Sequence, residues 1–337
     1  MEHNGAVPTA GVPVDDRVMA VVLTFDAPDA ARPCLAAIRA QSVPVQTILV
    51  VDNASDPPFD ARAAGAGVQV LRLEENAGPA GGYAAGLEAF LRSGLGWVWL
   101  VDDDSTPRVD ALERQLHAAH QHADPTAWLA TMIDRDSGEV ANTHGWCGVL
   151  IPRVIVDAVG VPNAELFWWS EDTEYLQWRI PEAGFALGRC GDAVVEVSRR
   201  RATRAKPAWK FYYEARNQVY HRIHVQRQTP GGPSRRHLTA RVRWWRATRS
   251  VVKLGARALL REPDGRGRKL GMVARGTVDG LRGRLGKTVP VDTSDRPAPP
   301  GPTTRIVLAD GSSVGRVETQ EPFDLDESRR PRPGRLD

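Results

Sequence analysis

The chain has 337 residues, 42% of them hydrophobic and 25% charged, which is enough for one large domain with appendages and a substantial core. Cys34, Cys147 and Cys190 are far apart and lack metal-ligand or redox spacing, so a disulfide framework is excluded and a reducing cytoplasm fits. The first seventeen residues have no basic start followed by an apolar core, and no window approaches the ~18 to 20 apolar residues that span a bilayer, so any membrane association is expected to be peripheral.

Residues 1–16 read as a flexible tail. Val18 to Thr24 is then a continuous apolar, β-branched run, the pattern of a strand covered on both faces in a parallel sheet. Asp29 to Gln41 is Ala-rich with spaced Leu and Ile, which suits a helix lying on that sheet. Thr47 to Val51 forms a second strand ending in Asp52-Asn53-Ala54-Ser55, and Val68 to Leu73 a third. Asn76-Ala77-Gly78-Pro79-Ala80-Gly81-Gly82-Tyr83 follows as a glycine-rich loop, leading into a helix over Ala84 to Leu91 and a strand ending at Asp102. The pattern predicts a doubly wound α/β sheet flanked by helices, in which ligands collect at the carboxyl ends of strands. Asp52, the glycine loop and the acids after residue 101 all occupy such ends.

Beyond this point the pattern predicts a helix over Val109 to His122, strands over Trp128 to Ile133 and Gly145 to Ile151, a helix over Asp172 to Glu182 that Pro181 should end, and a strand within Gly184 to Val197. Residues 226–289 read as a basic helical extension and 290–337 as a mostly disordered, Pro-, Asp- and Arg-rich tail with one short strand at Ile306 to Leu308. Between Trp244 and Arg261, the residues Arg246, Arg249, Lys253, Arg257 and Arg261 recur at helical spacing opposite a stripe of Trp245, Val252 and Leu259. Residues 199–287 carry 25 basic and four acidic side chains, a net +21, against −18 for the rest of the chain. An acidic half suits metal chemistry and a basic half an anionic partner such as a phospholipid surface or a pyrophosphate.

The most informative stretch is Trp97 to Ser105, in which an apolar strand stops at Asp102-Asp103-Asp104. Three like charges at the end of a buried strand repel one another and are costly to desolvate, so a divalent cation with a phosphate ligand is their natural neutraliser. Hard oxygen ligands select Mg2+ or Mn2+, held by one or two carboxylates while nucleotide phosphates complete the shell. The competing reading is an acidic turn capping a helix that starts near Pro107.

Taken as an ordered set, the strand with Asp52, the run Asn76 to Gly82, the strand with Asp102 to Asp104, and Ser170-Glu171-Asp172 resemble a GT-A glycosyltransferase of family two over residues 17–225. The runs Asn76 to Tyr83, Trp97 to Asp104 and Phe211 to Asn217 resemble the actinobacterial galactofuranosyltransferase and rhamnosyltransferase branch. The resemblance implies a GT-A mixed sheet, and donor-nucleotide contacts from Asp52, Asn76, Gly78, Gly81, Gly82, Asp102 and Asp103. It implies metal binding by Asp102 and Asp104, and an inverting mechanism with Asp172 as the base. Such a base is helped by partial burial and by nearby acids that raise its pKa, Glu171 and Glu174 being close in sequence, and Trp168 and Trp169 would wall the sugar-binding region. The implied partners are a nucleotide sugar, UDP-galactofuranose first and dTDP-rhamnose second, a glycan or polyprenyl-linked acceptor, and an anionic membrane surface. One departure stands out: the family's metal-binding His has no counterpart at Val195 to Ser198, leaving Glu196, His221, His224 or His144 as substitutes. The run Arg199 to Arg201 with Arg204 and Lys206 suits a diphosphate or a lipid-linked acceptor. Two other readings compete. A sugar nucleotidyltransferase would favour a glycine-rich basic signature after the first strand, where Thr24 to Pro28 offers neither. A non-catalytic binder of anions such as nucleic acid would have no use for the ordered acids.

Overall fold

In the computed structural model, residues 15–60, 67–141, 145–197, 206–226 and 238–291 are described. His144, Arg199 to Arg201, Arg204 and the expected strand at Ile306 to Leu308 lie outside the described residues. The apolar runs become strands because β-branched side chains stack well on a sheet covered from both sides. Strand β1 (Val18–Thr24) lies between β2 (Thr47–Asp52) and β4 (Trp97–Asp102), with β3 (Val68–Arg72) beyond β2, all parallel. Antiparallel β8 (Val149–Pro152) continues the sheet from β4, followed by β6 (Thr126–Asp134), β9 (Ala186–Val197) and β5 (Ser105–Pro107), and the two-residue β7 (Val140–Ala141) pairs with β6. The sheet is therefore mixed, as the resemblance implied.

Because side chains alternate along a strand, β1 fills two cores at once. Met19 and Val21 join Tyr83, Leu87 and Phe90 of helix α2 (Gly78–Ser93) on one face. Val18, Ala20 and Val22 join Cys34, Leu35 and Ile38 of helix α1 (Pro28–Arg39), and Leu112 and Leu116 of α3 (Ala111–His120), on the other. Each large apolar side chain so buried contributes ~1.5–3 kcal/mol. Helix α4 (Arg153–Val159) follows β8.

Three boundaries differ from the sequence expectation. Helix α2 begins at Gly78 and not at residue 84, so the glycine run is its first turn and a half. Ser105–Pro107 pairs with β9 and helix α3 starts only at Ala111, so the triple aspartate is a strand-to-strand turn and not a helix cap. Helix α5 (171–182) runs through Pro181 to Glu182, with π-helical turns over Glu174–Arg179.

A helical layer closes the molecule. Helix α6 (Ala208–Tyr220) packs against α7 (Ala240–Leu260) and α8 (Arg266–Leu281) through Phe211, Ala215, Leu254, Ala258 and Val273. The stripe that α7 turns inward is thus Ala247, Leu254 and Ala258, while the predicted stripe of Trp245, Val252 and Leu259 faces outward. No described helix is long and apolar enough to cross a membrane.

Candidate active site

The register places Asp52 beside Thr24 and Asp102 beside Leu23, so two acids flank β1 at the carboxyl end of the parallel strands. Asp52 is fully buried and already engaged. Its Oδ1 accepts from the Ser55 amide at 2.9 Å, and its Oδ2 accepts from the Phe59 amide at 3.1 Å and from the guanidinium of Arg72. Burial works to raise its pKa, yet these donors together bring the carboxyl below its ordinary value. Through these bonds the Asp52 carboxylate shapes the turn after β2. Sequence reasoning missed Arg72, whose signal was a lone cation at a strand end in register with Asp52.

Asn53 and Asn76 join that turn to helix α2. Asn53 Nδ2 donates to Asn76 Oδ1 and to Gly78 O, both at 3.2 Å, and Asn53 Oδ1 accepts from the Ala77 amide at 2.8 Å. Asn76 Oδ1 also accepts from the Gly78 amide at 2.8 Å. The glycines let protein pack closely around this turn. A Cβ on Gly82 would lie 2.3 Å from Leu23 Cδ1, and one on Gly81 2.5 Å from Ala77 Cβ. Gly78 has φ +68°, and a Cβ there would lie 2.0 Å from the Phe167 carbonyl oxygen. Its smallness lets the segment before α5 approach the donor-side turn.

In the triple aspartate, Asp102 accepts from Tyr83 Oη at 2.6 Å on Oδ1 and from Cys147 Sγ at 3.2 Å on Oδ2. Burial nonetheless raises its carboxyl above the ordinary value, with the charge of Asp172 adding to the rise. Asp104 opens to solvent at its surface, yet surrounding protein and the charge of Asp102 push it up to about 6. Asp103 is half-buried between them. Two hard carboxylates held above their ordinary pKa at one turn fit a divalent cation whose remaining ligands come from a diphosphate. Among the described residues no group of three His, Cys, Asp or Glu forms a preassembled cage.

Of the candidates for a third protein ligand, Glu196 and His224 already have partners. Glu196 accepts from Arg108 Nε at 3.2 Å, and His224 Nε2 lies 3.1 Å from the Leu281 carbonyl. His221 is buried, with its ring held neutral by a pKa pushed down to about 3. Tyr83 and Cys147 are functional neighbours that sequence reasoning did not single out; Tyr83 ended the glycine run, whereas nothing about Cys147 set it apart.

Across the opening, helix α5 begins with Glu171 and Asp172. Asp172 Oδ1 accepts from the Thr173 amide at 2.6 Å and from Thr173 Oγ1 at 3.2 Å. Its carboxyl is raised by burial, against these two bonds. Burial, one of the two expected causes, leads that rise. Glu171 is itself pushed up to about 8 by burial and by the charge of Asp172. Glu174 is raised to about 7 by burial, opposed by Arg179. The segment entering α5 holds left-handed backbone at Phe167, Trp169 and Ser170, with φ of +59°, +80° and +66°. For residues other than glycine this costs roughly 1–2 kcal/mol each and marks sites where geometry outranks stability. Trp168 and Trp169 lie with ring centroids 5.2 Å apart, Trp169 is 37% exposed, and Lys206 Nζ sits 4.9 Å from the Trp169 ring while pairing with Glu214. A half-open indole beside a raised carboxyl can receive a sugar ring and a hydroxyl proton together.

This mixed sheet, with acids at the carboxyl ends of its parallel strands, has the architecture of the GT-A fold. Staphylococcus aureus TarS residues 1–349 share the fold, with a TM-score of 0.51, 13% identity, and coverage of 80% of this chain and 83% of that one. The same protein in complex with UDP-GlcNAc gives 0.51 at 12% identity, covering 79% and 81%. This chain spans half of the longer TarS chain. The family model described as glycosyl transferase family 2 matches residues 19–148. Galactofuranosyltransferase GlfT1 of Mycolicibacterium smegmatis is 30% identical over 208 residues, covering 51% of this chain and 68% of the relative. The protein of that name from Mycobacterium tuberculosis is 28% identical over 212 residues, covering 53% and 69%. The chain belongs to glycosyltransferase family 2, alongside galactofuranosyltransferase relatives.

Proposed function

We propose that this glycosyltransferase inverts configuration, depends on Mg2+ or Mn2+, and moves a sugar from a nucleotide donor to a cell-envelope glycan or its polyprenyl-linked precursor. UDP-galactofuranose is the first donor, following the GlfT1 relatives, and dTDP-rhamnose the second. The observation that carries the reading is the closeness of Asp102 and Asp172, from a strand end and a helix start 70 residues apart: Cys147 Sγ donates to Asp102 Oδ2 at 3.2 Å, and a Cβ built on Gly145 would lie 3.9 Å from both Cys147 Sγ and Asp172 Oδ2.

In the reaction, Asp172 takes the proton of the acceptor hydroxyl as that oxygen attacks the anomeric carbon from the side opposite the nucleoside diphosphate. Its burial makes it a better base than a solvated aspartate. The two bonds from Thr173 fix Oδ1 and orient the carboxylate. Asp104 and Asp102 would hold the metal, which when bound neutralises charge growing on the leaving diphosphate. Tyr83 and Cys147 fix the rotamer of Asp102, and the Trp169 indole offers a stacking face for the acceptor ring. The test is incubation of the purified protein with Mn2+ and a panel of nucleotide sugars. Nucleoside diphosphate release that requires the metal is expected, and a protein that neither turns over nor is thermally protected by any donor sinks the reading.

The acceptor class places the enzyme at the cytoplasmic face of an anionic membrane. Helix α7 has no acidic residue, and its outward face combines Trp245, Val252 and Leu259, exposed by 60%, 62% and 46%, with Arg249 and Lys253. Basic residues near an anionic leaflet contribute ~1 kcal/mol each, and apolar side chains between them can enter the headgroup boundary. Such a face, cationic throughout, repels a second copy of itself. Flotation with liposomes containing anionic lipid at low salt is expected, and Trp245→Glu with Val252→Glu should abolish it. Failure of the unmodified protein to float removes the membrane from the proposal and leaves the transfer chemistry standing.

A further inference from the structure

The strained segment before α5 is held from behind by two adjacent side chains of helix α6. Asn217 Nδ2 donates to three backbone carbonyls, those of Leu166 at 2.9 Å, Trp168 at 2.9 Å and Trp169 at 2.8 Å. Arg216 Nη2 donates to the carbonyls of Leu166 at 2.8 Å and Glu165 at 3.2 Å. Arg216 Nη1 reaches the carbonyl of Gly286 and, at 3.4 Å, the hydroxyl of Thr288. Arg216 Nε donates to Asn217 Oδ1 at 2.8 Å, so the arginine fixes which way the amide points. Both side chains are completely buried.

These bonds converge on the residues whose backbone is left-handed. Phe167, Trp169 and Ser170 lie within or next to the run 166–169 whose carbonyls are gripped, and Asp172 follows two residues later. A backbone in a sparsely populated conformation persists only when its surroundings over-determine it; here the Ala80 amide of α2 holds the Phe167 carbonyl at 3.2 Å, and the bonds to Leu166, Trp168 and Trp169 come from α6, outside the α/β layers. The far side of Arg216 is tied to residues 286–288, which follow α8. Gly280 of α8 lets that helix close on the site, since a Cβ there would lie 2.4 Å from the Arg216 carbonyl oxygen. A fully buried guanidinium whose acceptors are backbone carbonyls, an amide and a hydroxyl is a costly way to fill space. Its placement is intelligible as a joint between three distant segments.

The geometry assigns Arg216 and Asn217 as a positioning pair that sets the direction of the Asp172 carboxylate by clamping the left-handed run 167–170. The catalytic part of this assignment rests on the reading of Asp172 as the base; the mechanical part does not. Asn217→Ala removes three carbonyl contacts without touching any group that meets donor or metal. Its kcat for nucleoside diphosphate release is expected to fall about 100-fold, while KM for the nucleotide sugar and thermal protection by Mn2+ with UDP stay within twofold. Amide hydrogen exchange across residues 165–172 should rise in the same variant.

Ser170→Gly relieves the left-handed conformation at φ +66° and should recover about tenfold in kcat when added to Asn217→Ala. If the alanine variant does not fold, Asn217→Gln, which keeps the amide and displaces it by one methylene, should show the same split at smaller amplitude. Unchanged exchange across 165–172 overturns the clamp itself. Raised exchange with unchanged kcat, or kcat and donor affinity falling together, overturns its catalytic role. Loss of activity in Asn217→Ala when Asp172→Asn retains full turnover would overturn the base reading while leaving the clamp intact.

Discussion

The acid ending β2 and the acids at the start of α5 behave in opposite ways when buried. Asp52 is fully buried yet falls below its ordinary pKa, because the amides of Ser55 and Phe59 and the guanidinium of Arg72 satisfy both oxygens. Glu171, Asp172 and Glu174 are raised, because burial there is not matched, among the described residues, by a cation hydrogen-bonded to the carboxylate; for Glu171 the charge of Asp172 adds to the rise. Asp102 is raised likewise, although Tyr83 and Cys147 both bond it. Burial alone therefore does not set the pKa of an acid; the donors and charges around it decide the direction. In the proposed reaction the turn after β2, on the donor side, holds its acid as a structural anion, while the start of α5, on the acceptor side, supplies the proton acceptor.

Breaking the reactive member of this contrast should have the largest effect. Asp172→Asn is expected to lower transfer by about 10³-fold, within the range that general-base loss produces, while thermal protection by Mn2+ with UDP is retained. Normal turnover in that variant would remove the base from Asp172. Next, Asp104→Ala should lower turnover about 100-fold and weaken Mn2+-dependent protection by UDP as well, so that the donor side fails in binding where the acceptor side fails only in rate. Retained protection would detach Asp104 from the metal.

Gly78 joins the two sides, since its missing Cβ lets Phe167 approach the donor turn. Gly78→Ala combines a positive φ with a clash against backbone and should cost about 2–4 kcal/mol in denaturant unfolding. A loss below about 0.5 kcal/mol would show that the two segments are free to separate.

The smallest effect sharpens the electrostatic contrast. Glu174 is held at about 7 in the folded protein against an ordinary value of 4.5. A raised acid binds its proton more tightly when folded, so its contribution to stability is complete below about pH 4.5, declines as pH rises toward 7, and changes no further above that. Glu174→Gln should accordingly raise Tm more at pH 8 than at pH 5. An equal change at both values would mean that Glu174 ionises in the folded state as it does in the unfolded chain.

Much of the donor side was legible in the sequence because it is local. Continuous apolar strands announce a sheet covered on both faces, and acids placed at their ends mark the rim that ligands use. The triple aspartate, the Asp52 turn and the Asn76 to Gly82 run each occupy one short segment, so order and spacing sufficed to find them. Their contacts were harder to read. The glycines pack against Leu23, Ala77 and Phe167, because a missing side chain in the sequence does not say whether protein or ligand takes its space. The acceptor side was legible only at Asp172 and the paired tryptophans. Its left-handed backbone occurs at Phe167, Trp169 and Ser170, none of them glycine, and its support comes from Arg216 and Asn217 about fifty residues later. In helix α7 the heptad stripe was visible, yet the stripe that packs is Ala247, Leu254 and Ala258, because small side chains let helices approach closely.

By itself the sequence determined the strands, the family, and the acids placed at strand ends, since each depends on neighbours within a few residues. Tertiary structure alone decided which acids are raised, which are lowered, and what holds the segment entering α5. Those properties depend on burial and on hydrogen-bond donors brought from distant parts of the chain, and such donors have no fixed spacing to betray them.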